Sequence, residues 1–314
     1  MTDYHFNLVD FNSGEPLSDA TVLFKRPFTS IYNTFEKDAR RFVPGDELEA
    51  AINAALAVGT PLLITGEPGT GKTQAAYYTA YKLGIEPVLH FQVKSDSSAS
   101  DLLYYFDAVR YFHDANLNKN QVSQASFDKK NYVEKRVLWQ ALESNTPRLL
   151  LIDEIDKAPR DFPNDLLHEL DRMEFKIAET QAVIKAPPEM RPIVFITSNS
   201  ERRLPEPFLR RCAYHHIQFD EDLVRKAIKS RISDYRTLSP EFIELAIRRF
   251  LALRAKPLRK SPSTAELFVW LQVLAVSADT SPEFLSDNLG KLPYLGTLLK
   301  DQSDIDEVKA SHMK

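Results

Sequence analysis

The hydrophobic residues of this chain follow two patterns, and the change between them falls near residue 220. Before that point, five short apolar runs are nearly continuous, at approximately residues 61–65, 87–93, 148–153, 192–197 and 213–219. Continuous runs of this length are typical of strands buried on both faces of a parallel sheet. After Asp220, apolar residues recur at the three- and four-residue spacing of amphipathic helices. The pattern predicts an α/β fold with a central parallel five-stranded sheet, followed by a small α-helical domain.

Three helices of this second part are marked by apolar residues at helical spacing. These residues are Leu223, Val224, Ala227 and Ile228, then Phe242, Leu245, Ala246 and Phe250, then Leu267, Leu271 and Leu274. The third helix opens with Ser263 and Glu266, which have the spacing of a capping box. We therefore predict an N-terminal arm at residues 1–40, an α/β core at residues 41–219 and a helical lid at residues 220–314. The role of the arm is not predicted.

A glycine-rich loop follows the first predicted strand and precedes a helix-compatible segment that ends near Gly84. Glycines let successive backbone N–H groups close around a phosphate, and the N-terminus of the following helix favours its negative charge. In such a loop the lysine reaches the β and γ oxygens, and the threonine binds Mg²⁺. The predicted nucleotide-binding residues are Gly66, Glu67, Pro68, Gly69, Thr70, Gly71, Lys72 and Thr73. A glycine-rich turn without a ligand is the alternative.

The third apolar run ends in two acidic residues, Asp153 and Glu154. Ligands of parallel sheets lie at the carboxyl ends of the strands, so Asp153 is predicted beside the phosphate loop, where it would support Mg²⁺ together with Thr73. Glu154 can polarise an attacking water, which favours hydrolysis over phosphoryl transfer to an acceptor. No element of the guanine-binding type is found, which favours ATP over GTP. The sequence predicts an ATPase with ATP and Mg²⁺ as its cofactors.

From about Arg41 to Asp301, the chain resembles the AAA+ ATPases, and within them the MoxR family that accompanies von Willebrand factor A partners. The resemblance rests on the two nucleotide motifs and on the run Pro192 to Asn199, which is similar to the sensor 1 strand of the family. It implies a P-loop NTPase core of the AAA+ type and a homo-oligomer, expected to be a hexameric ring. It also implies that Asn199 orients the attacking water or the γ-phosphate.

The stretch Leu204 to Cys212 is similar to the family segment whose arginine enters the nucleotide site of the neighbouring subunit. Arg211 matches that arginine best, and Arg210 is the close rival. A guanidinium delivered across an interface can stabilise charge on the transferring phosphoryl group. The resemblance also implies that the alternating segment from Phe175 to Ile184 is a hairpin that couples nucleotide state to a central pore.

Two segments depart from the broader AAA+ pattern. At the start of the third lid helix, where many members carry a sensing arginine, this chain has Ser263, Thr264, Ala265 and Glu266. Arg259 or Lys260 could substitute, although a solvated helix face is the simpler interpretation of the basic residues around them. The second segment, residues 95–135, is predicted to be an insert that contacts partners or a pore. Its aromatic residues 104–106 are predicted to pack beneath it.

The composition of the chain bears on where in the cell the protein acts and on whether it spans a membrane. A chain of 314 residues that is 43% hydrophobic can bury a large core. The single cysteine, Cys212, excludes an internal disulfide, and the N-terminus has no leader pattern. The longest apolar run, residues 267–276, is too short to cross a bilayer. We therefore predict a cytoplasmic protein without a membrane span.

Two functions remain at this point. The first is an oligomeric ATPase that remodels a protein partner in the manner of a chaperone, such as a partner with a von Willebrand factor A domain, or that helps to insert a cofactor. The second is an AAA+ motor or loader on nucleic acid, which the net charge of −4 makes less favourable. A P-loop kinase or a static nucleotide switch is a third interpretation, and Glu154 and Arg211 speak against it. Partner identity, pathway and oligomer number are not predicted.

Overall fold

A computed structural model describes residues 35–117, 128–277 and 279–310 of the chain. The predicted arm, apart from residues 35–40, lies outside the described residues, as does part of the predicted insert. The strands are β1 (Leu62–Gly66), β2 (Leu89–Gln92), β3 (Tyr104–Phe106), β4 (Val133–Lys135), β5 (Leu149–Asp153), β6 (Glu174–Lys176), β7 (Val183–Lys185), β8 (Ile193–Ser198) and β9 (Ala213–Ile217).

The helices are mostly short, and the two longest lie on either side of the sequence change at residue 220. They are α1 (Phe35–Ala39), α2 (Asp46–Val58), α3 (Lys72–Leu83), α4 (Ser100–Leu103), α5 (Ala108–Leu117), α6 (Val137–Leu142), α7 (Phe162–Asp165), α8 (Leu167–Arg172), α9 (Glu206–Leu209), α10 (Glu221–Ser230), α11 (Pro240–Arg254), α12 (Thr264–Ala275), α13 (Leu295–Leu298) and α14 (Gln302–Ala310).

The five predicted apolar runs form one parallel sheet in the order β2-β5-β8-β1-β9, which confirms the predicted fold class. Every residue of β1 and β5 is buried, whereas the edge strands β2 and β9 are only partly covered. This explains why the central runs lack alternation, since helices cover both faces of a parallel sheet. The carboxyl ends of β5, β8 and β1 lie side by side.

Helix α3 starts directly from the glycine-rich loop, as the sequence predicts. Its buried alanines, Ala75, Ala76 and Ala80, allow close packing in the sheet layer. The helix ends at Gly84, whose φ of 68° is left-handed and whose N–H reaches the carbonyls of Ala80 and Tyr81. Glycine adopts that conformation without a steric penalty, so Gly84 terminates the helix.

Two compact units make up the chain. One comprises residues 44–67 and 71–218 and contains the sheet, and the other comprises Pro68–Thr70, residues 219–310 and the described residues up to Val43. In the second unit, α11 and α12 bury Phe242, Phe250 and Trp270 completely. Helix α12 has the predicted capping box.

Within the second unit, charged groups connect α1 and the residues after it to the segment that contains Arg231 and Asp234. The guanidinium of Arg41 donates to both carboxylate oxygens of Asp234 at 2.6 and 2.7 Å. Arg231 also pairs with Asp38 at 3.1 Å. These partly buried pairs hold residues 38–41 in place, at the boundary between the predicted arm and the predicted core.

The predicted insert is built on a small antiparallel pair of β3 and β4 with α5 between them. Tyr104 stacks on Phe175 and meets Trp139 edge to face, whereas Tyr105 is 47% exposed. The prediction that these aromatic residues pack therefore holds for Tyr104 and not for Tyr105. Successive side chains of a strand point to opposite faces, so Tyr104 and Tyr105 lie on opposite sides of β3.

The predicted hairpin, which lies in the chain between β5 and β8, is also present. Strands β6 and β7 pair in antiparallel register, with Phe175 opposite Ile184. Phe175 is buried, while Val183 is 60% exposed. None of the helices in the described parts of the chain is long and apolar enough to span a bilayer.

Candidate functional site

The glycine-rich loop has the backbone conformation that its glycines predict. Gly69 and Gly71 have φ values of 74° and 93°, in the left-handed region where side-chain-bearing residues are strained. The ammonium of Lys72, 6% exposed, donates to the carbonyls of Gly66 and Glu67 at 2.9 and 2.8 Å. These two hydrogen bonds hold the Lys72 ammonium against the loop, where a phosphate would bind.

The charge state of Lys72 reflects two opposing influences. Burial lowers its pKa below the ordinary value, and the neighbouring carboxylates Asp153, Asp156 and Glu154 oppose that shift. The two hydrogen bonds of the Lys72 ammonium go to neutral carbonyls, and a hydrogen bond to an anion is stronger than one to a neutral acceptor. A polyphosphate at the loop would provide such an anion.

Asp153 lies at the end of β5 and is almost fully buried. Its Oδ1 accepts hydrogen bonds from Thr197 at 2.5 Å and from Thr73 at 3.0 Å, and its Oδ2 lies 3.2 Å from His90 Nε2. Burial alone would raise its pKa, but the hydrogen bonds from His90 and Thr197 outweigh burial and lower it. Asp153 is therefore an ionised carboxylate at neutral pH.

The donor set formed by Thr73 and Asp153 suits Mg²⁺. Both residues offer oxygen, the ligand atom that this cation prefers, and their side chains are already in hydrogen-bond contact. No group of three or more His, Cys, Asp or Glu side chains with metal-binding geometry occurs in the described ranges. Two protein oxygens leave the remaining positions to water and phosphate, which is how Mg²⁺ is held in nucleotide sites.

Glu154 follows Asp153 in a backbone conformation that is unusual for a residue with a side chain. Its φ of 60° and ψ of 51° are left-handed, and its N–H donates to Thr197 Oγ1 at 2.9 Å. Strained residues of this kind persist where the surrounding structure fixes them, and they cluster at functional sites. The conformation turns the Glu154 side chain away from the path of β5.

Three side chains hold the carboxylate of Glu154. Its Oε1 accepts from Asn199 Nδ2 at 3.2 Å, and its Oε2 accepts from Gln92 at 2.6 Å and from Lys157 at 2.5 Å. The hydrogen bond to Glu154 raises the pKa of Lys157. The structure therefore brings Glu154 and Asn199 together, and it places both beside the strand that carries Asp153.

Asn199 itself is fixed by a buried acid. Both oxygens of Asp156 accept backbone N–H groups, from Asn199 at 3.2 Å and from Glu201 at 3.0 Å. Asp156 is 2% exposed, so these bonds are shielded from water. The turn after β8 is thereby locked to the segment after β5.

The two arginines lie apart from this cluster and have different surroundings. Arg211 Nε lies 2.5 Å from Asp171, and Arg211 Nη1 donates to the Pro207 carbonyl at 2.9 Å. The side chain of Arg210 is 80% exposed, and its nearest carboxylate, Glu206, is 3.5 Å away. Within the described residues, neither arginine forms a hydrogen bond or an ion pair with the candidate nucleotide-site residues, which are Lys72, Thr73, Asp153, Glu154 and Asn199.

Cys212, next to Arg211, is predicted to be chemically inert in the folded protein. Burial raises the pKa of its thiol to about 12, with a smaller contribution from Asp171. Since the ordinary value is 9.0, the thiolate fraction near neutral pH falls about a thousandfold.

We expect alkylation of Cys212 by iodoacetamide at pH 8 to be slower by about that factor in native protein than in guanidinium-unfolded protein. Equal rates in the two states would contradict this.

Five site residues were missed by the sequence reasoning: His90, Gln92, Asp156, Lys157 and Thr197. His90 and Gln92 occupy alternate positions of β2 and therefore point to one side of it. The sequence signal that could have revealed them is the presence of two polar residues, two positions apart, within the apolar run at residues 87–93. Thr197, a polar residue inside a buried strand, was a second one. Nothing in the local pattern marks Lys157.

Comparison with known families agrees with the nucleotide motifs. Residues 61–212, just under half of the chain, match the family described as AAA domain, dynein-related subfamily. The match covers the glycine-rich loop, both acidic residues, Asn199 and the two arginines. It supports ATP-driven activity in general, in a family whose members bind nucleotide, generally with magnesium, and are typically oligomeric.

The other comparisons add little. A search of curated proteins gives no match. Solved structures that resemble the chain include a protein from Cytophaga hutchinsonii provisionally described as an ATPase. It is 16% identical, with a TM-score of 0.40 over 87% of this chain and 83% of that one. A similarity of this size carries no conclusion about activity.

Proposed function

We propose that this protein is a magnesium-dependent ATPase of the MoxR type. We propose that it assembles into a homo-oligomeric, hexameric ring, as the resemblance to the MoxR family implies, and that it acts in the cytoplasm. ATP hydrolysis would drive the remodelling of a protein partner, with a von Willebrand factor A domain as the expected partner type. The ATPase proposal rests on the clustering of Lys72 and Thr73, which begin α3, with Asp153, Glu154 and Asn199, which lie at or directly after the ends of the neighbouring strands β5 and β8.

We assign nucleotide binding to the glycine-rich loop and the start of α3. Backbone N–H groups of Gly66–Thr73 and the ammonium of Lys72 would bind the phosphates. Thr73 and Asp153 would hold Mg²⁺, which supplies positive charge to the phosphate oxygens when it is bound. Lys72 now donates to two loop carbonyls, and exchange of these bonds for phosphate oxygens would satisfy the buried cation more strongly.

The hydrolytic half is assigned to Glu154 and Asn199. A carboxylate held by Gln92, Lys157 and Asn199 has a fixed direction, and it can accept a proton from an attacking water. Asn199 adds an amide that can position the same water. An arginine from a neighbouring subunit, Arg211 or Arg210, would stabilise charge on the phosphoryl group.

A direct test is steady-state ATP hydrolysis by the purified chain, with magnesium and with EDTA, in the presence and absence of single-stranded DNA or RNA. We expect hydrolysis that requires magnesium and changes by no more than about twofold with nucleic acid, because the chain carries a net charge of −4. Large stimulation that falls steeply with salt would instead identify a nucleic-acid motor. Absence of magnesium-dependent hydrolysis, with or without nucleic acid and at any protein concentration, would contradict the ATPase proposal.

A further inference from the structure

A chain of hydrogen bonds leads from the middle of α3 to the carboxylate of Asp153. The hydroxyl of Tyr77 lies 3.0 Å from His90 Nδ1, and His90 Nε2 lies 3.2 Å from Asp153 Oδ2. The rings of Tyr77 and His90 meet edge to face with centroids 5.9 Å apart. Tyr77 is 8% exposed, so the outer end of this chain is shielded from solvent.

The chemistry of these three side chains determines which atom donates in each hydrogen bond. An ionised carboxylate only accepts hydrogen bonds, so His90 Nε2 must donate to Asp153. In a neutral imidazole the other nitrogen then accepts, and the Tyr77 hydroxyl donates to it. Tyr77 thus selects the tautomer of His90 that can hold Asp153.

The placement of Tyr77 follows from the helix that carries the phosphate-loop threonine. Thr73 and Tyr77 are four residues apart in α3 and therefore share one face of the helix. Thr73 contacts Asp153 directly, and Tyr77 reaches the same carboxylate through His90. Thr197 binds Oδ1 from β8, while His90 binds Oδ2 from β2, so neighbouring strands fix the plane of the carboxylate.

We propose that His90 and Tyr77 are positioning residues for magnesium binding, which hold Asp153 in the orientation that a nucleotide-bound cation requires. The proposal rests on the proposed function, because Asp153 is there assigned to Mg²⁺. Partners that hold a metal-binding side chain from behind commonly contribute tenfold or more to metal affinity. The hydrogen bonds of Tyr77 and His90 described above lead to Asp153, whereas Lys72 donates to carbonyls of the phosphate loop, so we expect nucleotide affinity without metal to be the same when His90 or Tyr77 is replaced.

The test uses four variants of the full chain, each measured for affinity toward a non-hydrolysable ATP analogue across a magnesium titration and in EDTA. His90→Phe removes both ring nitrogens, and Tyr77→Phe removes only the hydroxyl. His90→Gln keeps a side-chain N–H donor at about the reach of the imidazole Nε2. Tyr78→Phe is the matched control, since its hydroxyl lies on an exposed contact to Glu49.

We expect His90→Phe to raise the magnesium concentration at half-saturation about tenfold or more. Tyr77→Phe should shift it in the same direction by a smaller factor, and His90→Gln should restore it to within about threefold of wild type. Tyr78→Phe should leave it unchanged, and affinity in EDTA should be the same in all five proteins. An unchanged midpoint in His90→Phe would overturn the proposal, as would an equal loss of affinity in EDTA.

A second readout needs neither nucleotide nor metal. The ring ¹⁵N shifts of His90 in the free protein, assigned by comparison with His90→Gln, should report the Nε2-protonated tautomer, and Tyr77→Phe should reduce its population. A predominant Nδ1-protonated form in wild type would overturn the proposal. Wild-type protein that binds no nucleotide, or binds it without regard to magnesium, would instead overturn the proposed function and this proposal with it. The two failures therefore give different results.

Discussion

Replacement of Glu154 by glutamine is expected to lower the turnover of ATP by a factor of about 10² to 10⁴ while nucleotide affinity stays near the wild-type value. Glutamine keeps the size of the side chain but cannot take a proton from water. Glu154 lies among Asn199, Gln92 and Lys157, none of which belongs to the phosphate loop, so binding should survive its loss. Steady-state kinetics and equilibrium binding of a fluorescent ATP analogue measure the two quantities.

A suitable control is Glu189→Gln, because Glu189 lies exposed in a short turn before β8 and carries the same change of charge. That variant should hydrolyse ATP at the wild-type rate. If Glu154→Gln turns over ATP as fast as this control, Glu154 does not activate the water. Loss of nucleotide binding in Glu154→Gln would show that the residue serves the fold or the loop instead.

The second large effect is expected at the arginine pair. Replacement of Arg211 by alanine should lower turnover about 10³-fold or more with nucleotide affinity retained, as is typical when a charge-stabilising arginine is removed. The ion pair of Arg211 with Asp171 does not argue against this role. Both side chains are nearly half exposed, and such pairs contribute little stability, so a triphosphate can displace Asp171.

Arg210→Ala is the matched control, since it removes the same group one residue away. It should retain turnover within a few-fold of wild type, and Asp171→Asn should leave Arg211 able to act. Loss of turnover in Arg210→Ala alone would assign the role to the more exposed arginine. Wild-type turnover in both variants would eliminate a charge-stabilising arginine from this segment.

The central sheet and the motif strands follow from the sequence because they depend on local pattern. The runs that become β1 and β5 are apolar at nearly every position, and a strand buried on both faces leaves that signature. Gly84 and the capping box of Ser263 and Glu266 are similarly local, since each satisfies backbone groups within a few residues of itself.

The contacts that organise the site are not local, and this is why the sequence alone did not reveal them. His90 meets Asp153 across 63 positions of the chain, and Gln92 meets Glu154 across 62. Their pairing depends on strand order, which brings β2 beside β5, and no spacing rule encodes that order. The left-handed conformation of Glu154 is likewise held by Thr197 from another strand.

The measurement that tests the central claim most directly is ATP turnover against protein concentration for wild type, Glu154→Gln, Arg211→Ala and an equal mixture of the two variants. If the site is completed by a neighbouring subunit, wild-type turnover per chain rises with concentration, and each variant alone is inactive. The mixture then regains part of the wild-type rate, because an Arg211→Ala chain keeps Glu154 and its Glu154→Gln neighbour supplies Arg211. Turnover per chain that is independent of concentration, together with an inactive mixture, would contradict a site shared between subunits.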